Sequence, residues 1–278
     1  MQATLLLALC LCTLTDSFNF PAHARRGMRL MDASSAYLSG KDPQAYLSTV
    51  LRRSADSAAA CLADGVKYIE IAFPEKLKND ISVTESLDTN RLFTRELVKK
   101  FSSYGKDLWV LFPDSGELNL AVQVWGATEF TMTSISGADK QIKSGASPAL
   151  MVVVNPGFNV EEWIQLAKIE TPASIIIING NLDRLRNGYY PWFFYPELTK
   201  VTDSFYRKFT QAYFVSPIAV SGDFLGAWLC KTHLSDWQVL VREKEGFGVL
   251  QTSEKEPQPQ QAWRAASKAY KETWGSMF

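Results

Sequence analysis

The stretch "ALMVVVNPGFNVEEWIQLAKIETPASIIIIN", residues 149–179, contains two aliphatic runs with one helical segment between them. Leu150–Val154 and Ile175–Ile178 are continuous rather than alternating in polarity. A strand of that kind has no face to offer water, so other elements must cover both its sides, as in a parallel sheet. "VEEWIQLAKIE" supplies the crossover helix that a parallel pair requires. The unit predicts an α/β layered domain.

The chain upstream repeats the unit. Asp42-Pro43 reads as an N-cap with proline at the first helical position. Leu47, Val50, Leu51, Ala55, Ala58, Cys61 and Leu62 then form one apolar face at helical spacing, and Gly65 ends the helix. "VKYIEIAF" (66–73) is a strand stopped by Pro74, and "DLWVLF" (107–112) is a second, with a helix over 86–104 between them. "PDSGELNLAVQVWG" returns as a short helix, "TEFTMTSI" reads as a strand and "SGADKQIKSGAS" as a loop. After a helix near 196–209 the pattern changes to successive antiparallel strands, "AYFVSPIAV", "GAWLCKTH", "DWQVLVRE" and "FGVLQT". "EKEPQPQQ" is a polar linker, and beyond it Trp263, Ala266, Tyr270 and Trp274 align on a final helix. The expected architecture is a three-layer α/β fold. Its mostly parallel, Rossmann-like sheet is extended by C-terminal antiparallel strands and followed by a C-terminal helix. The α/β domain is expected over 41–252, with the linker and final helix over 253–278.

The N-terminus reads as an address. "TLLLALCLCTL" (4–14) is too short to span a bilayer and suits a signal-peptide core within 1–17, with cleavage expected before Phe18. Residues 18–40 begin "FNFPAHARRGMRLMDASSAY", basic and poor in acids like a transit peptide. Together they resemble the bipartite plastid address of an alga with a secondary plastid, the alternative being a secreted protein. Cys10 and Cys12 leave with the signal, so Cys61 and Cys230 make no disulfide framework. Lysine plus arginine and aspartate plus glutamate stand at 29 each, a balance that argues against a nucleic-acid partner.

Glycine-rich phosphate loops and the nucleophile elbow are absent from the sequence. His233 is the one histidine beyond the address, which excludes a histidine-rich metal site; no metal or cofactor is expected. Loops at the carboxyl ends of strands are where open α/β sheets bind ligands. Here they carry Asp114 and Glu117, Asn155, and Asn179. Such residues serve a crevice, or simply make the turns common at strand ends.

The least average segment is "NGNLDRLRNGYYPWFFYPELTK" (179–200). Tyr189, Tyr190, Trp192, Phe193, Phe194 and Tyr195 crowd seven positions, with Asp183, Arg184 and Arg186 just upstream. One reading is a loop folded over the sheet and clamped by Asp183 with an arginine. The other is a rigid docking plate, since Pro191 and Pro196 stiffen it. Both roles fit together if Asp183 and Arg184 or Arg186 hold the loop while part of the aromatic cluster faces a partner.

"NGNLDRLRNGYYPWFFYPEL", with "VLFPD" before it and "WQVL" after it, resembles a plant and algal plastid family, the unknown-function domain numbered nineteen ninety-five. The resemblance runs over roughly residues 43–245, through "EIAFP" and "GASPALMVVVNP". It departs at "HLSDW", where a Tyr-Pro-Gly turn is expected, and does not extend to the final helix. The resemblance implies a non-enzymatic plastid protein of the stroma, partly thylakoid-associated and peripheral rather than integral. Such a protein assists assembly or accumulation of a photosystem II core subunit. The implied partner is a thylakoid membrane protein or its insertion machinery. The same domain accompanies a plastid adenylate kinase, so a nucleotide- or phosphate-binding α/β domain is the alternative.

Overall fold

The computed structural model describes residues 43–75, 83–157, 159–220, 223–233, 235–243 and 246–274. The two address segments and the Asp42 cap lie outside them. A nine-stranded sheet runs through the molecule in the order β3-β2-β4-β5-β1-β6-β7-β8-β9. Its strands are β1 (Tyr68–Ala72), β2 (Leu108–Phe112), β3 (Thr131–Ser134), β4 (Leu150–Val154), β5 (Ser174–Ile178), β6 (Thr210–Val220), β7 (Asp223–Thr232), β8 (Trp237–Glu243) and β9 (Gly246–Ser253). Every pairing from β3 to β6 is parallel, and β6 to β9 form an antiparallel meander.

Continuous aliphatic runs occupy the centre for the reason given by their composition. In β4 and β5, Met151 pairs with Ile175 and Val153 with Ile177, and alternate residues feed opposite cores. Val110, Val152 and Ile176 join the first core with Ile69 and Ile71. That core is closed by α1 (Pro43–Ala63), α2 (Val83–Val98) and α3 (Ser115–Trp125), through residues such as Ala58, Leu97 and Trp125. Leu111, Val153 and Ile177 face the second core under α4 (Ile135–Lys143), α5 (Val160–Ala167), α6 (Leu182–Arg186) and α7 (Pro196–Ser204). A third core sits between the meander and α8 (Pro259–Trp274), where Phe214, Leu229 and Val239 meet Ala262 and Ala266.

Cys61 and Cys230 are both fully inside the first core. Burial pushes each thiol up to about 12, so both behave as small hydrophobes rather than nucleophiles.

Three details differ from the sequence reading. Ile135–Lys143 is a helix, not a loop. The Ser134 hydroxyl accepts from the Gly137 N–H at 3.1 Å, and Ile135, Ala138 and Ile142 bury on one side, so the serine and glycine mark the capped first turn. β6 joins β1 in parallel before the meander begins, because the α6–α7 crossover returns it to the same end of the sheet. In α8 the inward face is Ala262, Ala266, Ala269 and Tyr270, and Trp263 points substantially into solvent at 46% exposure.

Candidate functional site

β1 is apolar except for Glu70, which lies at its middle and is 1% exposed. On the same side of the strand Tyr68 packs on the second core and Ala72 on the third, so Glu70 sits at the seam between them. A buried carboxylate needs a partner, and α6 supplies one. Leu182 and Leu185 anchor that short helix in the second core, which leaves Asp183 and Arg186 one turn apart on another side. Arg186 donates from Nη1 to Glu70 Oε2 at 2.7 Å and lies 3.4 Å from Asp183 Oδ1. Its Nη2 donates to the Phe209 carbonyl at 3.4 Å, and Gln211 donates to Asp183 Oδ1 at 3.3 Å. The β1–β6 register slips by one residue just after the Glu70–Gln211 pair, so a bulge accompanies the polar cluster.

Two carboxylates thus meet one guanidinium, and the exposed Glu256 acts on the group through its charge. Burial raises Glu70 from 4.5 to about 7 despite the attraction of Arg186, and the charges of Asp183 and Glu256 push the same way. Asp183 is raised by burial, with Arg186 opposing. Glu256, in the linker before α8, is raised by burial and by Asp183. The sequence reading of a clamp made by Asp183 and an arginine therefore finds Arg186 in that position, with Glu70 as its closest partner. Arg184 points elsewhere, its guanidinium 5.6 Å from the centre of the Tyr189 ring.

The clamp sits at the root of the aromatic segment. Gly188 takes φ +71°, and the Tyr189 N–H donates to the Arg184 carbonyl at 3.1 Å, which closes α6 with a Schellman turn. Tyr190 then packs edge-on against the fully buried Trp163 at 5.6 Å. Trp163 is itself fixed: its indole N–H donates to the Gly180 carbonyl at 3.1 Å, and its own carbonyl accepts from the Tyr206 hydroxyl at 2.7 Å. Phe194 and Tyr195 donate their N–H groups to the Pro191 carbonyl at 3.0 and 3.1 Å, a tight turn that leads into Pro196 at the start of α7.

A family model, "Domain of unknown function (DUF1995)", matches residues 45–263. The chain belongs to this family. Comparison with curated proteins and with solved structures returned no match. The matched region of this DUF1995 protein holds the whole clamp and the whole aromatic segment, and ends within α8.

Elsewhere in the DUF1995 domain, the strand-end residues are engaged within the fold. β1 passes to α2 on one face and its neighbour β5 to α6 on the other, which opens a switch point between their carboxyl ends. Asn179, in the left-handed region at φ 48°, fills it. Its Oδ1 accepts from the Phe73 N–H at 2.9 Å, and its Nδ2 donates to Asn90 Oδ1 at 2.8 Å. Glu75 Oε1 accepts from Ser86 at 3.0 Å and from Asn90 at 3.1 Å. Asp114 caps α3 by accepting from the Glu117 N–H at 2.9 Å, and Glu117 pairs with Arg91, which also pairs with Asp88. Asn155 is buried after β4 at φ 42°, its N–H donating to the Ile178 carbonyl at 2.8 Å. The four strand-end candidates lie on one end of the sheet, whereas the clamp and the aromatic segment form a separate group.

Glu70, Gln211, Glu256 and Asn90 were not singled out from the sequence. Glu70 alone left a signal, one charge inside the apolar run "YIEIAF". Among the described residues, no group of three or more His, Cys, Asp or Glu side chains is arranged to hold a metal ion. His233 bonds Asp64 at 2.9 Å. Among the described residues, no helix is long and apolar enough to cross a membrane.

Proposed function

We propose that this DUF1995 protein is a non-enzymatic plastid protein. It resides in the stroma, associates peripherally with the thylakoid, and assists assembly or accumulation of a photosystem II core subunit. The observation that carries the reading is the aromatic segment: Trp192, Phe193 and Phe194 stand 71%, 60% and 72% exposed on a turn fixed at both ends. Soluble folds rarely leave three adjacent rings in water unless something covers them in use. Rigid aromatics lose little entropy on binding, which suits a docking role. The resemblance of "LDRLRNGYYPWFFYP" to the plastid family supports the choice of a thylakoid partner system. The alternative, a nucleotide- or phosphate-binding crevice, would draw on Asn179, Asp114 and Glu117, which here are engaged by Asn90, the Glu117 N–H and Arg91.

The test is affinity capture with the tagged protein from detergent-solubilised thylakoids. The reading expects a photosystem II core subunit or its insertion machinery to be enriched over a tag-only control. Capture without either component would refute it.

A further inference from the structure

We infer that the outer rings of the aromatic segment enter the surface of a lipid bilayer, so that the protein is held on its membrane by lipid contact. This rests on the reading of residues 189–195 as an outward docking surface and names what that surface meets. Ring contacts in the segment fall into two sets. Tyr189, Tyr190 and Tyr195 touch one another at 5.0 and 5.3 Å, and Tyr190 ties that set to the buried Trp163. Trp192, Phe193 and Phe194 form the second set, with ring contacts at 6.0 and 4.5 Å among themselves. The hydroxyl-bearing set is therefore the base in the sense that Tyr190 roots it in the core, although Tyr189 is itself 67% exposed, and the outer set is indole and phenyl. That is the polarity gradient of a headgroup-to-acyl boundary, where tyrosine and tryptophan keep a polar end wet while the apolar body sinks.

Charge points the same way. "NGYYPWFFYP" (187–196) contains no ionisable acid or base other than tyrosine, so entry of the tip desolvates no formal charge. The flanking charges are spent within the fold or set back from the tip. Arg186 is turned inward to Glu70, and Glu197 pairs with Lys168 at 2.6 Å. Arg184 stands over Tyr189 at the level of the base, where a cation meets headgroup phosphates rather than acyl chains. The shape also favours lipid over a protein pocket. Residues 191–197 are all exposed in succession, a projecting tip that would need a matching cavity in a protein but needs only a soft surface in a bilayer. The tight turn at Pro191 presents the rings already ordered.

The full chain is mixed with protein-free vesicles of phosphatidylcholine containing phosphatidylglycerol, and Trp192 emission is read as the difference between wild type and Trp192→Phe. The proposal expects that difference spectrum to shift to the blue and to be quenched by lipids brominated on the acyl chain. It also expects Trp192→Ser/Phe193→Ser/Phe194→Ser to bind vesicles about tenfold more weakly, with an unchanged thermal midpoint. Both proteins carry residues 4–14, so the comparison reads the loop. A difference spectrum that stays solvent-like at saturating vesicles overturns the proposal, even if native thylakoid membranes still bind the protein, which would assign the rings to a protein partner. Vesicles hold no photosystem subunit, so this result stands apart from the detergent capture: either reading can fail while the other survives.

Discussion

Replacing Arg186 by methionine should destabilise the protein more at high pH than at low pH, and the difference should be traceable to Glu70. Arg186 is the closest charged partner of a carboxylate that is 1% exposed, at 2.7 Å. The Glu70 value is raised from 4.5 to about 7 in the folded chain by burial. Between those two values the folded state keeps a proton that the unfolded state has released. The stabilisation from this group is therefore full below the ordinary carboxylate value and is lost as pH rises through about 7. Asp183 and Glu256 are shifted in the same direction and add to the slope.

Without Arg186 the carboxylate has lost its counter-ion, so its folded-state value rises further. At pH 6 Glu70 is already protonated, and the variant loses chiefly the bonds to Glu70 and to the Phe209 carbonyl, roughly 1–2 kcal/mol. At pH 8 it must either stay ionised in the core or take up a proton against the solution; with the wild-type carboxyl at about 7, that adds at most about 1.4 kcal/mol to the cost at pH 6, for a total of roughly 2–3 kcal/mol. Urea unfolding followed by tryptophan fluorescence at the two pH values measures both numbers. Adding Glu70→Gln removes the titrating group, so the double variant should lose most of the pH difference and exceed the single variant in stability at pH 8. Equal destabilisation by Arg186→Met at both pH values, or a pH difference that persists in the double variant, would refute the assignment of Glu70 as the group responsible.

Asn179→Ala strands the Phe73 N–H and the Asn90 carbonyl and should cost about 1–3 kcal/mol by the same urea assay. A cost below a few tenths would mean that water replaces the amide freely. Removing residues 257–278 uncovers Phe214, Leu229 and Val239 and should lower the melting temperature more than it lowers thylakoid association. The opposite ranking would make α8 a docking helix. Residues 1–40 fused to a fluorescent protein should carry it into the plastid of an alga with a secondary plastid, and fluorescence confined to the medium or endomembranes would contradict the address.

The layered fold was legible because its causes are local. Leu150–Val154 and Ile175–Ile178 have no polar side to give to water, and that alone demands helices on both faces. The α4 helix was not legible, because "SGADKQIKSGAS" carries the same serines and glycines whether they cap a helix or fill a loop; the burial of Ile135 and Ala138 decides it. The candidate site divides the same way. Crowded aromatics and an Asp/Arg pair at helical spacing are visible in one short segment, yet the choice of Arg186 over Arg184 depends on Glu70, more than a hundred residues earlier, and on a parallel crossover that brings α6 back over β1. The consequence is a physical coupling between core and surface. Arg186 is the last residue of α6, and three residues later the chain begins the aromatic segment, so the guanidinium that compensates the buried carboxylate also fixes where Tyr189 and Tyr190 emerge. Loosening that pair loosens the base tier, while Trp163 still grips Tyr190 from the other side. The outer rings are thus displayed by a core that depends on their loop for its own charge balance, which gives a reason for a fold to keep an ionic group at the centre of its sheet.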